Sequence, residues 1–273
     1  MPELPEVETV RRTLENILVG KSIVKTVVFY DKMLVNKTKE EFDSLLRGKK
    51  ILKIGRYGKY LIFYIGDMKL ISHLRMEGKF FIKPETSEVE KHEHLLFYLD
   101  DHTTLRYHDT RKFGTMELLN EFEETTSGLL TIGLEPFEEG FTYEYLKKKI
   151  GKTNRAIKTV LLDQKNVAGL GNIYVDEVLF LSKIYPEKLA SSLKPKEIKE
   201  IVKNAKIVLE HAVLLGGSTI RSYTSSLGVT GRFQNELYVH MRKDEPCKIC
   251  GSMILKTRVG GRGTYYCPQC QRK

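Results

Sequence analysis

The first 246 residues of this 273-residue chain contain no cysteine, and no acidic residue follows Glu245. No apolar run, Tyr60–Ile65 being among the longest, approaches the ~20 residues that span a bilayer. Glu3, Glu6 and Glu8 leave no room for an apolar secretory signal at the amino terminus. These absences argue against a helical membrane protein and against a secreted disulfide scaffold. They predict a soluble cytoplasmic protein whose paired cysteines serve as metal ligands.

The acid-free end belongs to a wider asymmetry. Residues 137–273 hold 24 Lys/Arg and 13 Asp/Glu, a net +11, whereas residues 1–136 hold 21 and 22, a net −1, giving +10 in all. A one-sided basic excess points to a polyanion, most simply nucleic acid. Lys147-Lys148-Lys149 alone would read as a solvated surface, but the acid-free C-terminus does not. The length suits two ordinary cores better than one large one.

The four cysteines form Cys247-x2-Cys250-x16-Cys267-x2-Cys270, with no histidine between them. This is the spacing of two zinc knuckles joined by a segment long enough for a hairpin. Four thiolates fill a tetrahedral site and leave no position for water, so one structural Zn2+ is expected and no catalytic metal. Glycines flank Arg262 in Val259-Gly260-Gly261-Arg262-Gly263-Thr264, a tight tip that would present its guanidinium to a phosphate.

The opposite end starts Met1-Pro2-Glu3-Leu4-Pro5-Glu6. If Met1 is removed, Pro2 supplies a secondary α-amine that titrates near pH ~8, well below a lysine, and so is nucleophilic at neutral pH. A secondary amine attacking a sugar aldehyde carbon gives an iminium that needs no further protonation and acts as an electron sink. Glu3 could be the accompanying acid or base. Read plainly, Pro5, Glu6 and Glu8 are also a helix first turn, followed by Val7, Val10, Leu14, Ile17 and Leu18 at helical spacing.

Between the ends, residues 21–116 read mainly as strands: Ser22–Tyr30, Lys50–Ile54, Tyr60–Ile65, Leu70–Leu74, Lys79–Ile82, Leu95–Leu99 and Thr104–Tyr107. That predicts an α+β protein with an N-terminal β-sandwich and flanking helices. Helical spacing returns at Ile157–Leu161, at Ile173–Leu181 and from about Pro195 to Leu215. Gly169-x-Gly171 lacks the strand and third glycine of a dinucleotide site and better suits a phosphate clamp at a helix start beside Asn172. The expected division is a sandwich domain over 2–134, a linker over 135–142, a helical DNA-binding domain over 143–235 and a zinc finger over 236–273. His73-Leu74-Arg75-Met76-Glu77-Gly78-Lys79 and His108-Asp109-Thr110-Arg111-Lys112-Phe113-Gly114 each set an apolar side chain among charges and glycine. Met76 and Phe113 are either core residues or wedges that unstack a base pair.

Together, the PELPEVETVRR start, Gly58-Lys59-Tyr60-Leu61, ISHLRMEGKF, Arg111-Lys112-Phe113-Gly114, GLGNIYVDE, Gly216-Gly217-Ser218 with Arg221, and the finger with GRGT resemble the bacterial formamidopyrimidine-DNA glycosylases. The resemblance runs from Pro2 to Cys270. It implies a bifunctional base-excision repair enzyme with a helix–two-turns–helix module, binding damaged double-stranded DNA between its domains as a monomer. By that resemblance Pro2 attacks the sugar C1′ of an oxidised purine nucleotide, and Glu3 protonates the opening sugar. Lys59 then assists β-elimination and Arg262 δ-elimination. Lys59, His73, Asn172 and Arg262 match phosphate contacts; His92, Arg111 and Arg155 match further DNA contacts. Met76, Arg111 and Phe113 match the residues that fill the gap left by the flipped base, with Arg111 reading the orphaned cytosine. Glu77, Ser218, Arg221 and Tyr223 match the lesion pocket. The chain departs from the pattern at Tyr57, where arginine is common, and at Thr153-Asn154-Arg155, which replaces a more lysine-rich run.

Two alternatives remain at this stage. A glycosylase resembling endonuclease VIII, acting on oxidised pyrimidines, shares the proline but usually has Gly in place of Leu4 and lacks the Met/Arg/Phe set. A non-catalytic zinc-ribbon DNA-binding protein explains the charge and the cysteines but gives Pro2, Glu3 and Lys59 no task.

Overall fold

The computed structural model describes residues 1–151, 153–218 and 231–271. The chain divides into two units, Met1–Leu130 with Gly216–Gly231, and Thr131–Leu215 with Arg232–Lys273.

In the first unit, α1 (Leu4–Leu18) is followed by β1 (Ile23–Val28), α2 (Lys39–Leu46), β2 (Ile51–Tyr57), β3 (Tyr60–Ile65), β4 (Met68–His73), β5 (Lys79–Pro84), β6 (Glu93–Leu99), β7 (Thr103–His108) and β8 (Thr115–Leu119). The strands pair into two antiparallel four-stranded sheets, ordered β1-β6-β7-β5 and β2-β3-β4-β8. Phe80, Phe97, Leu105 and Tyr107 of one sheet share a core with Ile54, Leu61, Phe63 and Leu118 of the other, and the Phe63 and Phe80 rings meet at 5.5 Å. Val7, Val10, Leu14 and Leu18 carry one face of α1 into the same core. The β-sandwich with flanking helices is therefore present. Two of its elements lie outside the sequence expectation: α2, started by the reciprocal capping of Thr38 and Glu41, and β8.

The second unit contains α3 (Tyr143–Ile150), α4 (Ile157–Leu162), α5 (Asn172–Leu181), α6 (Pro195–Leu214) and the hairpin of β9 (Leu255–Val259) and β10 (Arg262–Tyr266). Residues 133–141 are tied into this unit: Gly133 N–H donates to the Gln164 carbonyl at 2.7 Å, and Leu134 N–H to the Tyr145 hydroxyl at 2.9 Å. Ile198, Ile201, Ala205, Val208, Leu209 and Ala212 form the buried face of α6. A smaller cluster, Phe180, Val239, Cys247, Ile254 and Cys267, joins α5 to the finger. Among the described residues, no helix is long and apolar enough to cross a membrane.

Candidate active site and nucleic-acid interface

Pro2 is buried at the mouth of α1, and Glu3 is only 3% exposed. The N–H of Glu3 donates to Glu6 Oε2 at 2.8 Å, while Glu6 Oε1 accepts the N–H of Ser218 at 2.8 Å. One carboxylate thus joins the helix start to the turn that precedes residue 219. Gly217 has φ +77°, and a Cβ there would stand 2.6 Å from Glu6 Oε1, so this approach requires glycine.

The amino group at the chain start has its pKa lowered, first by burial and also by the Lys59 charge. Glu3, Glu6 and Glu77 oppose the shift. The Met1 amine, three carboxylates near it and a buried lysine therefore share one neighbourhood. Lys59 is 4% exposed and follows a turn braced by Arg56, whose guanidinium donates to Glu8 Oε2 and to the Gly58 carbonyl, both at 3.0 Å. Burial opposes the ionisation of Glu8, but Arg11, Arg12 and Arg56 hold it down to about 2. Tyr57, at the departure noted above, precedes this braced turn.

His73 ends β4 with its ring edge-on to Tyr60 at 4.4 Å. Burial, with Arg75 and Lys59 nearby, lowers its pKa to about 3. The N–H of Arg75 donates to His73 Nδ1 at 3.0 Å, which leaves the ring proton on Nε2. His73 can therefore offer a phosphate a neutral hydrogen bond rather than a positive charge.

The two candidate wedge loops are held by one tyrosine and one aspartate. Tyr107, 1% exposed, lies so close to Gly78 and Gly114 that a Cβ would stand 2.2 Å and 1.6 Å from its hydroxyl oxygen. Asp109, also 1% exposed, accepts the N–H of Arg111 on Oδ1 at 2.9 Å and those of Phe113 and Gly114 on Oδ2 at 3.0 and 2.9 Å. Thr110 donates to Glu77, linking one loop to the other. Arg75 and Lys112 take left-handed φ of 53° and 56°, uncommon for side chains of that size. Out of this frame Phe113 is 53% exposed, and the Arg111 guanidinium stacks on its ring at 4.8 Å. Phe113 is thus no core residue, and Met76 is half-buried. His92 is half-buried, its ring near those of His94 and His108 at 6.4 and 5.6 Å.

In the second unit Asn172 opens α5 and donates through Nδ2 to the Gly263 carbonyl at 2.9 Å, beside exposed Arg262. Arg155 stands apart from that pair, bound to Asp163 at 3.3 Å. The four cysteine sulfurs lie within 4.8 Å of one another, with Cys247–Cys270 at 3.9 Å and Cys250–Cys267 at 3.4 Å. Tetrahedral zinc at ~2.3 Å from each sulfur requires separations of about 3.8 Å, so the donor set fits the ion. Backbone N–H groups of Ile249 and Cys270 point at Cys247 Sγ and Cys267 Sγ at 3.4 Å, as in a metal knuckle. Arg221 and Tyr223 lie outside the described residues.

Sequence reading did not single out Glu6, Arg56, Tyr107, Asp109, Lys158 or Asp176. The last two had a signal: Lys158 sits among Ile157, Val160 and Leu161, and Asp176 with Glu177 interrupts the apolar run of α5.

A β-sandwich that buries Pro2 and Glu3 at the start of its first helix, followed by paired helices and a four-thiolate finger, defines a class of zinc-finger proteins with a helix–two-turns–helix unit. Three family models match in order: the formamidopyrimidine-DNA glycosylase N-terminal domain over residues 1–116, its H2TH domain over 132–224, and the zinc finger found in FPG and IleRS over 244–272. Formamidopyrimidine-DNA glycosylases of Bacillus cereus and Listeria monocytogenes are 51% and 48% identical over 273 residues, covering 99% and 100% of each chain respectively. The Lactococcus lactis Fpg, solved with DNA containing an abasic site, matches with a TM-score of 0.91 at 46% identity, over 99% of this chain and 100% of that one. The chain belongs to the formamidopyrimidine-DNA glycosylase family.

Proposed function

We propose that the chain is a bifunctional DNA glycosylase and abasic-site lyase of base excision repair that removes oxidised purines, 8-oxoguanine and formamidopyrimidines, through an imine on Pro2. The family supports the class of reaction. The observation that carries the nucleophile is the burial of Pro2 beside Glu3 and near Lys59, at a place where the adjoining Met1 amino group already has its basicity lowered by burial.

With Met1 removed, the Pro2 nitrogen forms a bond to C1′ as the glycosidic bond breaks with its electron pair on the base, and the N–H proton of Pro2 passes to that departing base. Glu3 gives a proton to the ring oxygen as the sugar opens, leaving an iminium between Pro2 and C1′. Loss of a C2′ proton then expels the phosphate from C3′ in β-elimination, where Lys59 stabilises or protonates the leaving oxygen. Loss of a C4′ proton to water forms the C4′–C5′ double bond and breaks the C5′–O bond in δ-elimination, where Arg262 meets the departing phosphate. His73, His92, Arg155 and Asn172 are assigned to the DNA backbone, Met76, Arg111 and Phe113 to the vacated stack, and Glu77 with Ser218 to the lesion. The finger's four thiolates hold a structural zinc that fixes the Arg262 hairpin and takes no step in the chemistry. One chain supplies every group named, so a monomer in the bacterial cytoplasm suffices.

Incubation with borohydride and duplexes carrying 8-oxoguanine or an oxidised pyrimidine tests this reading. A covalent adduct on the purine lesion supports it. Preference for the pyrimidine would assign the chain an endonuclease VIII-like specificity, and no adduct would leave only a DNA-binding role.

A further inference from the structure

We propose that Lys158 and Asp176 are positioning residues for Arg262, and that through it they determine how far strand cleavage proceeds beyond β-elimination. The proposal rests on the role given to Arg262 above.

Lys158 on α4 and Asp176 on α5 form an ion pair at 2.7 Å with both side chains fully buried. A pair withdrawn from water in this way stabilises a fold poorly, because desolvation offsets the attraction. This pair is tied to more than itself. Lys158 Nζ also donates to the Gly263 carbonyl at 3.0 Å, the same oxygen that accepts Asn172 Nδ2 at 2.9 Å. Asp176 Oδ2 accepts the Tyr265 N–H at 3.3 Å and pairs with His240 Nδ1 at 2.8 Å. Between these anchors, the buried Thr264 hydroxyl donates to the Arg262 carbonyl at 3.0 Å.

The three residues after Arg262 are thus fixed one by one. The two before it, Gly260 and Gly261, have left-handed φ of 55° and 77° and bring no side chain to hold the tip. Arg262 itself is exposed, with no carboxylate partner among the described residues. Its backbone is anchored on the following side by a lattice of bonds whose charged members include Lys158 and Asp176, while Gly260 before it packs closely on Thr159 of α4. The same carbonyl ties it to Asn172, the candidate phosphate contact at the start of α5. A cation that must meet a departing phosphate loses rate steeply when its anchor shifts by an ångström.

The test uses zinc-loaded full-length protein and a duplex with a preformed abasic site, following β-product and β,δ-product separately over time. Lys158→Met is expected to slow the δ step about tenfold to hundredfold while the β step keeps its rate. Arg262→Ala should slow the δ step at least as strongly, and adding Lys158→Met to Arg262→Ala should slow that step no further. An unchanged product ratio in Lys158→Met, or equal loss of both steps, overturns the proposal. If Arg262→Ala itself leaves the δ step intact, the role of Arg262 fails first and the proposal with it. Should Lys158→Met fail to retain zinc, Lys158→Met/Asp176→Leu removes both charges together. The same ratio shift is expected from that variant, and an unchanged ratio again overturns the proposal.

Discussion

The sandwich and the zinc finger place functional groups at their surfaces by opposite means. In the first, 25 buried apolar residues from both sheets and from α1 and α2 form one cluster, and Pro2, Glu3 and Lys59 sit against that mass. In the finger, the corresponding cluster has five members, two of them cysteines. A sandwich with such a core can hold its site by packing alone. The finger has too small a core for that, and four thiolates placed for a metal supply its order instead. On the proposed function, the amine chemistry falls to the packed sandwich. A solvent-facing guanidinium is lodged in the metal-built finger.

Zinc removal should separate the two most strongly. Structural zinc contributes roughly 10–16 kcal/mol to folding in isolated fingers. Cys250→Ser, or chelation, should therefore abolish metal content and DNA affinity together while the sandwich retains its cooperative melt. Zinc-free protein with normal affinity would contradict the finger's role.

Acid should act through the packed unit. The His73 pKa lies below its unfolded value, so the native state resists protonation there. Its contribution is complete above about pH 6.5 and is lost as pH falls towards about 3, on the order of 4 kcal/mol. Glu8, held down to about 2, contributes above pH ~4.5 and is lost as pH falls below that. Denaturant titrations between pH 7 and pH 4 should show falling stability, and His73→Gln should flatten the slope. A slope unchanged by that variant would remove His73 as its source.

A smaller effect is expected at the wedge. A good arginine–base contact is worth ~1–3 kcal/mol of discrimination, about tenfold to a hundredfold. Arg111→Ala should thus narrow the ratio of excision opposite cytosine to excision opposite adenine, and leave cleavage at a preformed abasic site less affected. Single-turnover rates on the three duplexes check this, and an unchanged ratio would show that Arg111 does not read the orphaned base.

The strands were legible because alternating Val, Ile, Leu, Phe and Tyr runs are interrupted by turn residues, and Tyr60–Ile65 was located to the residue. β8 was harder to see: it is five residues long, and Glu117 on it is buried, accepting from Thr125 and Thr126 rather than facing solvent. The cysteine spacing announced its own chemistry; the Met1-Pro2-Glu3 start did so only with the rest of the chain beside it, since alone it reads as a helix first turn. The residues that place those groups did not. Tyr107 acts through Gly114 and through Gly78, which reaches it only once β5 and β7 are paired, while Asp109 holds the backbone N–H groups of its own loop. The exposure of Phe113 likewise follows from the left-handed turn at Lys112, which no periodicity encodes.

The most direct measurement is the identity of the residue trapped by borohydride on an 8-oxoguanine duplex. Intact mass should first show a chain lacking Met1. Peptide mapping of the reduced adduct should then place the DNA remnant on the Pro2 nitrogen, and a blocked amino terminus should abolish trapping. An adduct on Lys59, or full trapping with the amino terminus blocked, would contradict the assignment of the buried terminal amine as the nucleophile.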